Sequence, residues 1–350
     1  ILNELENKNF SLFNFYERRV RRILPVLFLV IFVTTILSFF FLSRSELGSF
    51  FRSVNSSILF YSNFHFWKTT PYFQADSELE PLLHTWSLSI EEQFYIIFPI
   101  LLITFHLYFK NWILTFLIVG FTSSLFICHL AAIKTGGTFN FYFTFTRSWE
   151  LALGSIVGYV MFHQKNFVSF LNNFFSLLGL LLIFLSIFLF NKQTLHPSFF
   201  TLVPTLGTAL VIFFTKDDTY VKKFLSNKIF LSIGVISYSF YLWHQPFLVF
   251  GKIYFDNFSI YLKFFFIFIS LLFSYFSYNY FEKIFRNKNK ISLRFLTVSV
   301  CSFILLFIPI AYLNTNLFSS ESKNGTESQL AKLLSQNDAV FSTKMDERQF

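Results

Sequence analysis

Side chains able to do acid–base or charge-stabilising chemistry gather in three short strings. The first runs from Pro81 to Tyr95 and holds His84, Trp86, Ser87, Ser89, Glu91, Glu92 and Tyr95. On a helix Ser87, Glu91 and Tyr95 are four apart and share one face, a polar stripe that must point inward in lipid. A carboxylate near His84 can orient or protonate a reacting group. The same string also reads as a helix start, because Ser89 and Glu92 have capping-box spacing and acids suit an N-terminus. In the second string, Thr146 to Glu150 around Trp149, Arg147 and Glu150 stand three apart and can pair on one helix face. Gly154 and Gly158 follow with small-xxx-small spacing, so a helix-packing clasp is the competing reading. The third string, Ser237 to Pro246, carries Tyr241, Trp243 and His244. Tyr and Trp at a membrane surface ordinarily form an anchoring belt, which is the plainer account of it. His65, His106, His129, His163 and His196 have no partner at informative spacing and receive no role.

A fourth string has a different chemistry. Phe15 to Pro25 places Arg18, Arg19, Arg21 and Arg22 just before an apolar run. Guanidinium forks bind phosphates in bidentate fashion. A topology anchor or contact with anionic lipid head groups explains the same charge.

These strings must be positioned by helices in a membrane. Of 350 residues 54% are hydrophobic and 13% charged, far below the roughly 25% charged of soluble domains. The expected fold is therefore all-α, a polytopic transmembrane helix bundle surrounded by lipid. Nine segments are apolar over about 20 residues, the length needed to cross: Ile23 to Leu42, Ser87 to Phe109, Trp112 to Ala132, Phe141 to Phe162, Phe170 to Phe190, Ser198 to Thr215, Ile229 to Phe250, Phe258 to Phe281 and Phe295 to Leu313. Counting Lys and Arg on alternate sides gives sixteen against seven, which puts Arg18 to Arg22 in the cytoplasm and the tail outside. Gly48 to Trp67 is apolar but carries Arg52, Asn55, Ser56, Ser57, Asn63 and His65, and reads as a partly inserted external helix. The organisation is thus an arginine-rich segment 1–22, a membrane domain 23–313 and a polar extracytoplasmic tail 314–350, in a multi-pass protein of the cytoplasmic membrane.

The net charge of +9 does not imply nucleic acid, since the basic residues lie between apolar runs rather than on one soluble face. Cys128 and Cys301 both fall inside apolar runs, so neither a disulfide framework nor a metal site is expected. Asn324-Gly325-Thr326 matches a glycosylation triplet of little weight. The chain opens on Ile1 and ends in a polar stretch, and is expected to be a piece of a longer protein.

Taken together and in order, Phe15 to Pro25, His84 to Tyr95 with Pro99, Arg147 to Gly154 and Ile236 to Pro246 resemble the membrane acyltransferase-3 family. The resemblance covers Ile1 to about Leu313. It implies an O-acyltransferase that takes an acyl group, acetyl for preference, from acyl-CoA at the cytoplasmic face and delivers it to an extracytoplasmic carbohydrate. Acyl-CoA would be a donor substrate, with no permanently bound cofactor. An Arg-x-x-Arg pair would hold the CoA phosphates, and Arg18 with Arg21 and Arg19 with Arg22 fit equally. His84, Glu91, Arg147, Glu150 and His244 become expected catalytic-site residues, with Trp86, Ser87, Tyr95, Trp149, Tyr241 and Trp243 as lining. Family members begin with further spans bearing a catalytic histidine, so this chain is expected to lack it and to be inactive alone. Some relatives carry an external SGNH-like hydrolase domain after the last span, to which the polar tail would lead. The competing class is a transporter of a small polar solute or lipid-linked sugar, whose buried charges would line a route. Its hallmark, an internal repeat with broken helices, is not visible.

Overall fold

The computed structural model describes residues 1–69, 79–135, 138–163, 169–191 and 194–318, and among them no strand occurs. Apolar runs in lipid must satisfy their own backbone groups, and a helix does so within one segment. The chain forms α1 (Leu2–Glu6), α2 (Leu12–Phe41), α3 (Arg44–Ile58), α4 (Ser62–Thr69), α5 (Thr85–Tyr108), α6 (Ile113–Thr135), α7 (Thr138–Tyr142), α8 (Thr144–His163), α9 (Ser169–Leu189), α10 (Leu202–Phe214), α11 (Tyr220–Leu225), α12 (Lys228–Tyr254), α13 (Ile260–Ser277), a π-helical turn (Tyr278–Glu282) into α14 (Lys283–Arg286), and α15 (Leu293–Phe318).

Six helices are long and apolar enough to cross a membrane: Leu12–Phe41, Thr85–Tyr108, Lys110–Lys134, Phe170–Leu189, Ile260–Arg286 and Leu293–Phe318. The other three expected spans form helices where predicted but do not meet that standard. At 13 residues α10 rises only about 20 Å, short of a roughly 30 Å hydrocarbon layer. The longer α8 and α12 are interrupted by the polar groups of the candidate site. The count of nine therefore does not follow from length and composition.

The core is built around α2. Val26, Leu27, Val30 and Ile31 are at most 1% exposed and pack with Phe50, Phe51 and Val54 of α3, Leu242 and Trp243 of α12 and Ala311 of α15. Helix α2 begins at Ser11, whose Oγ accepts from the Asn14 N–H at 3.3 Å, and passes unbroken through the arginine string and Pro25. No break marks a boundary at residue 22. Likewise α15 continues past Asn314 to Phe318, and the glycosylation triplet lies outside the described residues.

The segment Gly48 to Trp67 is not one helix. It is split at Leu59–Tyr61, where Phe60 has φ 54°, and its serines and Asn63 turn inward while Arg52 stays exposed. Ser57 and Thr85 hydroxyls lie 2.8 Å apart, Ser62 and Ser89 hydroxyls 2.7 Å apart, and Gln93 Nε2 donates to the Phe60 carbonyl and to Asn63 Oδ1, both at 2.9 Å. The α3–α4 pair is thus a polar-seamed wedge against the first turns of α5. One consequence is that the capping reading of Ser89 and Glu92 fails: α5 already starts at Thr85, and Ser89 is buried in the wedge seam.

Candidate active site

At one end of the bundle the α2 arginines line a cavity of about 540 Å³ together with Phe15, Arg286 and Lys288. The four arginines are not equivalent. Arg21 is buried, donating from Nε to Glu17 at 2.8 Å and from Nη1 to the carbonyls of Phe285 at 3.2 Å and Ile291 at 2.8 Å. Arg18 reaches outward to Glu4 at 3.2 Å. Arg19 and Arg22 have no carboxylate within ion-pair distance among the described residues; the Arg19 guanidinium instead lies 3.3 Å from the Tyr95 ring centroid and 4.4 Å from that of Phe15. Of the two Arg-x-x-Arg pairs left open by the sequence, Arg19 with Arg22 is the one without an ion pair among the described residues, its nearest acidic influence being the field of Glu92.

From Tyr95 the polar line continues along α5. The Tyr95 hydroxyl donates to Glu91, and Glu91 lines a cavity of about 140 Å³ with Trp86, Ser87, Ile90, Arg147, Glu150 and Leu151. Arg147 Nη1 sits 3.1 Å from Glu150 Oε1, and the guanidinium faces the rings of Trp86 and Phe141 at 5.5 Å. The clasp reading of this string loses support, because a Cβ on Gly154 or Gly158 would meet nothing within 4 Å. No described helix uses the small-residue stripe.

Ser87 also connects to α12, its hydroxyl 2.9 Å from that of Tyr241, which in turn donates to the His84 carbonyl. The His84 and His244 rings are 5.5 Å apart, and both His84 nitrogens are buried without a hydrogen-bond partner. Burial first, and then His244 beside it, hold the His84 imidazole well below its usual range. His244 Nδ1 lies 2.6 Å from the Tyr241 carbonyl, which fixes Nδ1 as the protonated nitrogen and leaves Nε2 as the acceptor.

The expected site residues thus divide. His84, Trp86, Ser87, Glu91, Tyr95, Arg147, Glu150, Tyr241 and His244 come together between α5, α8 and α12. Trp149 and Trp243 do not. Trp149 is fully buried among Leu125, Cys128 and Phe121 of α6, and Trp243 donates from Nε1 to Ser277 on α13 at 2.7 Å while stacking on Phe247. Reading the sequence missed four groups. Glu92 is half-buried next to Glu91 with Oε1 unpartnered; Arg286 and Lys288 join the basic cavity; and His196 packs on Phe141 within the field of Arg147. Only Glu92 had a local signal, its place in a Glu-Glu pair inside an apolar run.

Two histidines outside the spans give the molecule a defined acid response. Burial is the first cause that lowers His65 and His196, each to about 4, with Arg52 and Arg147 respectively adding to it. Both stay neutral in the fold but take up protons near 6.5 in the unfolded chain. Stability therefore falls as pH drops from about 6.5 toward about 4. Thermal unfolding in detergent across that window should show the loss, and His65→Gln with His196→Gln should reduce it, the remainder coming from His84.

An arginine-lined cavity at one end of a multi-pass helical bundle, joined through Tyr95 and Glu91 to the Arg147–Glu150 pair, is the arrangement of a membrane protein with an internal polar site. The chain belongs to the acyltransferase-3 family, whose acyltransferase domain matches residues 5–279. It is 29% identical over 231 residues to an uncharacterized protein of Haemophilus influenzae, covering 62% of this chain and 93% of that one. It is 30% identical over 339 residues to O-acetyltransferase OatA of Staphylococcus aureus, covering 89% of this chain and 55% of that one. The chain thus spans about half the length of the O-acetyltransferase it matches. No solved structure matches it.

Proposed function

We propose that the protein is the membrane part of an O-acyltransferase that moves an acyl group, acetyl for preference, from cytoplasmic acyl-CoA to a hydroxyl of an extracytoplasmic glycan. The observation that carries the reading is continuity. Arg19 stacks on Tyr95, Tyr95 bonds Glu91, and Glu91 shares a cavity with Ser87, Arg147 and Glu150, so polar groups run unbroken inward from the basic cavity. The excess of Lys and Arg on the same side as Arg18 to Arg22 supports a cytoplasmic basic end.

In this reading Arg19 and Arg22 hold the phosphates, and the thioester arm extends toward Glu91. The sugar hydroxyl attacks the thioester carbonyl; as the C–O bond forms and the C–S bond breaks, CoA leaves as the thiolate and receives the proton taken from the hydroxyl. Arg147 is the donor available to a developing oxyanion. Glu91, with Tyr95 and the His84–His244 pair, orients the acceptor and relays the proton. The family resemblance implies a further histidine as principal base, a role that no group among the described residues takes over. An SGNH-like domain following the tail would complete delivery to the sugar.

The test is the full-length protein in inverted membrane vesicles with labelled acetyl-CoA. Acid-stable incorporation of label into a base-labile glycan ester is the expected result. Label that crosses the membrane without forming any ester would replace this reading with the transporter.

A further inference from the structure

Deepening that reading and resting on it, we infer that Arg286 and Lys288 complete the donor site: with Arg19 and Arg22 they form a four-cation cage for the phosphates of a nucleotide-bearing ligand.

The argument starts from what Arg21 does. By bonding the carbonyls of Phe285 and Ile291 it fastens both ends of the segment 285–291 to α2. The residues between those two anchor points are then held beside the arginine string. Arg286 and Lys288 line the cavity, each about half-exposed, although they lie more than 260 positions along the chain from Arg22. Both are ion-paired, but the carboxylates are fewer than the cations they serve. Arg286 pairs with Glu282 at 3.2 Å, and Lys288 pairs at 2.6 Å with Glu17, a carboxylate already engaged by Arg21.

Charge decides the ligand class. Six cations line the cavity and three carboxylates, Glu4, Glu17 and Glu282, pair with them, an excess of three positive charges that becomes two when Glu92, in the field of Arg19 and Arg22, is counted. A lone carboxylate or a neutral sugar does not balance that excess. A diphosphate with a separate phosphomonoester does, and coenzyme A carries both. The volume of about 540 Å³ lies within the usual range for small-molecule sites, about 300–1,000 Å³. Arg19 and Arg22 approach such a ligand from α2, and Arg286 and Lys288 from the segment that Arg21 pins across it.

The experiment measures coenzyme A binding to the full chain in phosphatidylcholine nanodiscs. Arg286→Gln with Lys288→Gln is expected to weaken binding about a hundredfold, about tenfold per charged hydrogen bond lost. Lys283→Gln with Lys290→Gln, one just before the segment and one within it but neither lining the cavity, should change it less than about twofold. A second measurement does not depend on any variant folding: coenzyme A should protect Lys288 in the unmodified chain from an amine-reactive reagent, while Lys283 and Lys290 stay reactive. Repeating the protection with phosphatidylglycerol in place of coenzyme A separates the two sources of phosphate; protection by both supports a shared phosphate site. Unchanged affinity in the Arg286/Lys288 variant, with no protection of Lys288, overturns the inference; if Arg19→Gln with Arg22→Gln still abolishes binding, the acyl-CoA reading survives it. Absence of any coenzyme A binding to the unmodified chain removes both.

Discussion

Arg19→Ala with Arg22→Ala is expected to weaken acyl-CoA binding by roughly 10³-fold in a protein that still folds, whereas Arg21→Ala, one position away, is expected to cost about 3–5 kcal/mol of stability. The difference comes from what each guanidinium already bonds. Arg21 is 2% exposed, and removing it leaves Glu17 with only Lys288 and strands the carbonyls of Phe285 and Ile291. A buried carboxylate that loses one of its two partners, together with two buried carbonyls left without a donor, is among the few single changes that destabilise on this scale. Arg19 and Arg22 have no such obligations. Losing the Arg19 stack on Tyr95 costs only about 1 kcal/mol, so the double variant should run as a monodisperse species in detergent with nearly unchanged unfolding temperature. Isothermal titration with coenzyme A and a thermal melt on the same preparations read the two effects separately. The opposite pattern, with Arg21→Ala stable but unable to bind, would move the phosphate contacts onto Arg18 with Arg21.

The sequence makes some of these groups legible and hides others. The arginine string was readable as an anion site or anchor because charge next to an apolar run has few uses. Which arginines are free was not readable, since that depends on where the carbonyls of Phe285 and Ile291 fall. Arg286 and Lys288 were unreadable as site residues for the same reason. Trp149 and Trp243 are different: helix geometry alone separates them from the lining. On a helix a step of two residues turns about 200°, so Trp149 points away from the Arg147 face and Trp243 away from the Tyr241 face. Ser89 relates to Ser87 and Glu91 in the same way, and it faces the wedge while they face the cavity. The helical bundle itself was set by apolar run length, but α8 and α12 show its limit. Their polar residues lower the apolarity that identifies a span, and those same residues form the site. Long-range pairings such as Ser87 with Tyr241, or His84 with His244, join α5 to α12 across more than 150 positions, and no local pattern encodes them.

The charge pair at the inner cavity carries the sharpest test of whether it serves chemistry or merely holds α8. Arg147 and Glu150 side chains are 14% and 27% exposed and 3.1 Å apart, so Arg147→Gln leaves a largely buried carboxylate alone and should cost about 3–5 kcal/mol, as should Glu150→Gln for the converse reason. Combining the two removes both charges, and the double variant should recover most of that stability, since a neutral pair carries no stranded ion. Activity should not recover with it. An oxyanion donor lost from a water-poor site costs about 10²–10³-fold in turnover, and Gln at 147 supplies no charge to replace it. The full-length enzyme bearing both changes is therefore expected to melt near the unmodified temperature yet transfer acetyl at least about a hundredfold more slowly, with coenzyme A affinity unchanged because Arg19 and Arg22 are intact. Should glycan acetylation return in step with stability, the pair is a structural clasp. Because Gly154 and Gly158 on the same helix face open space, such a clasp would act through the Arg147 contacts with Trp86 and Phe141 rather than through the glycines.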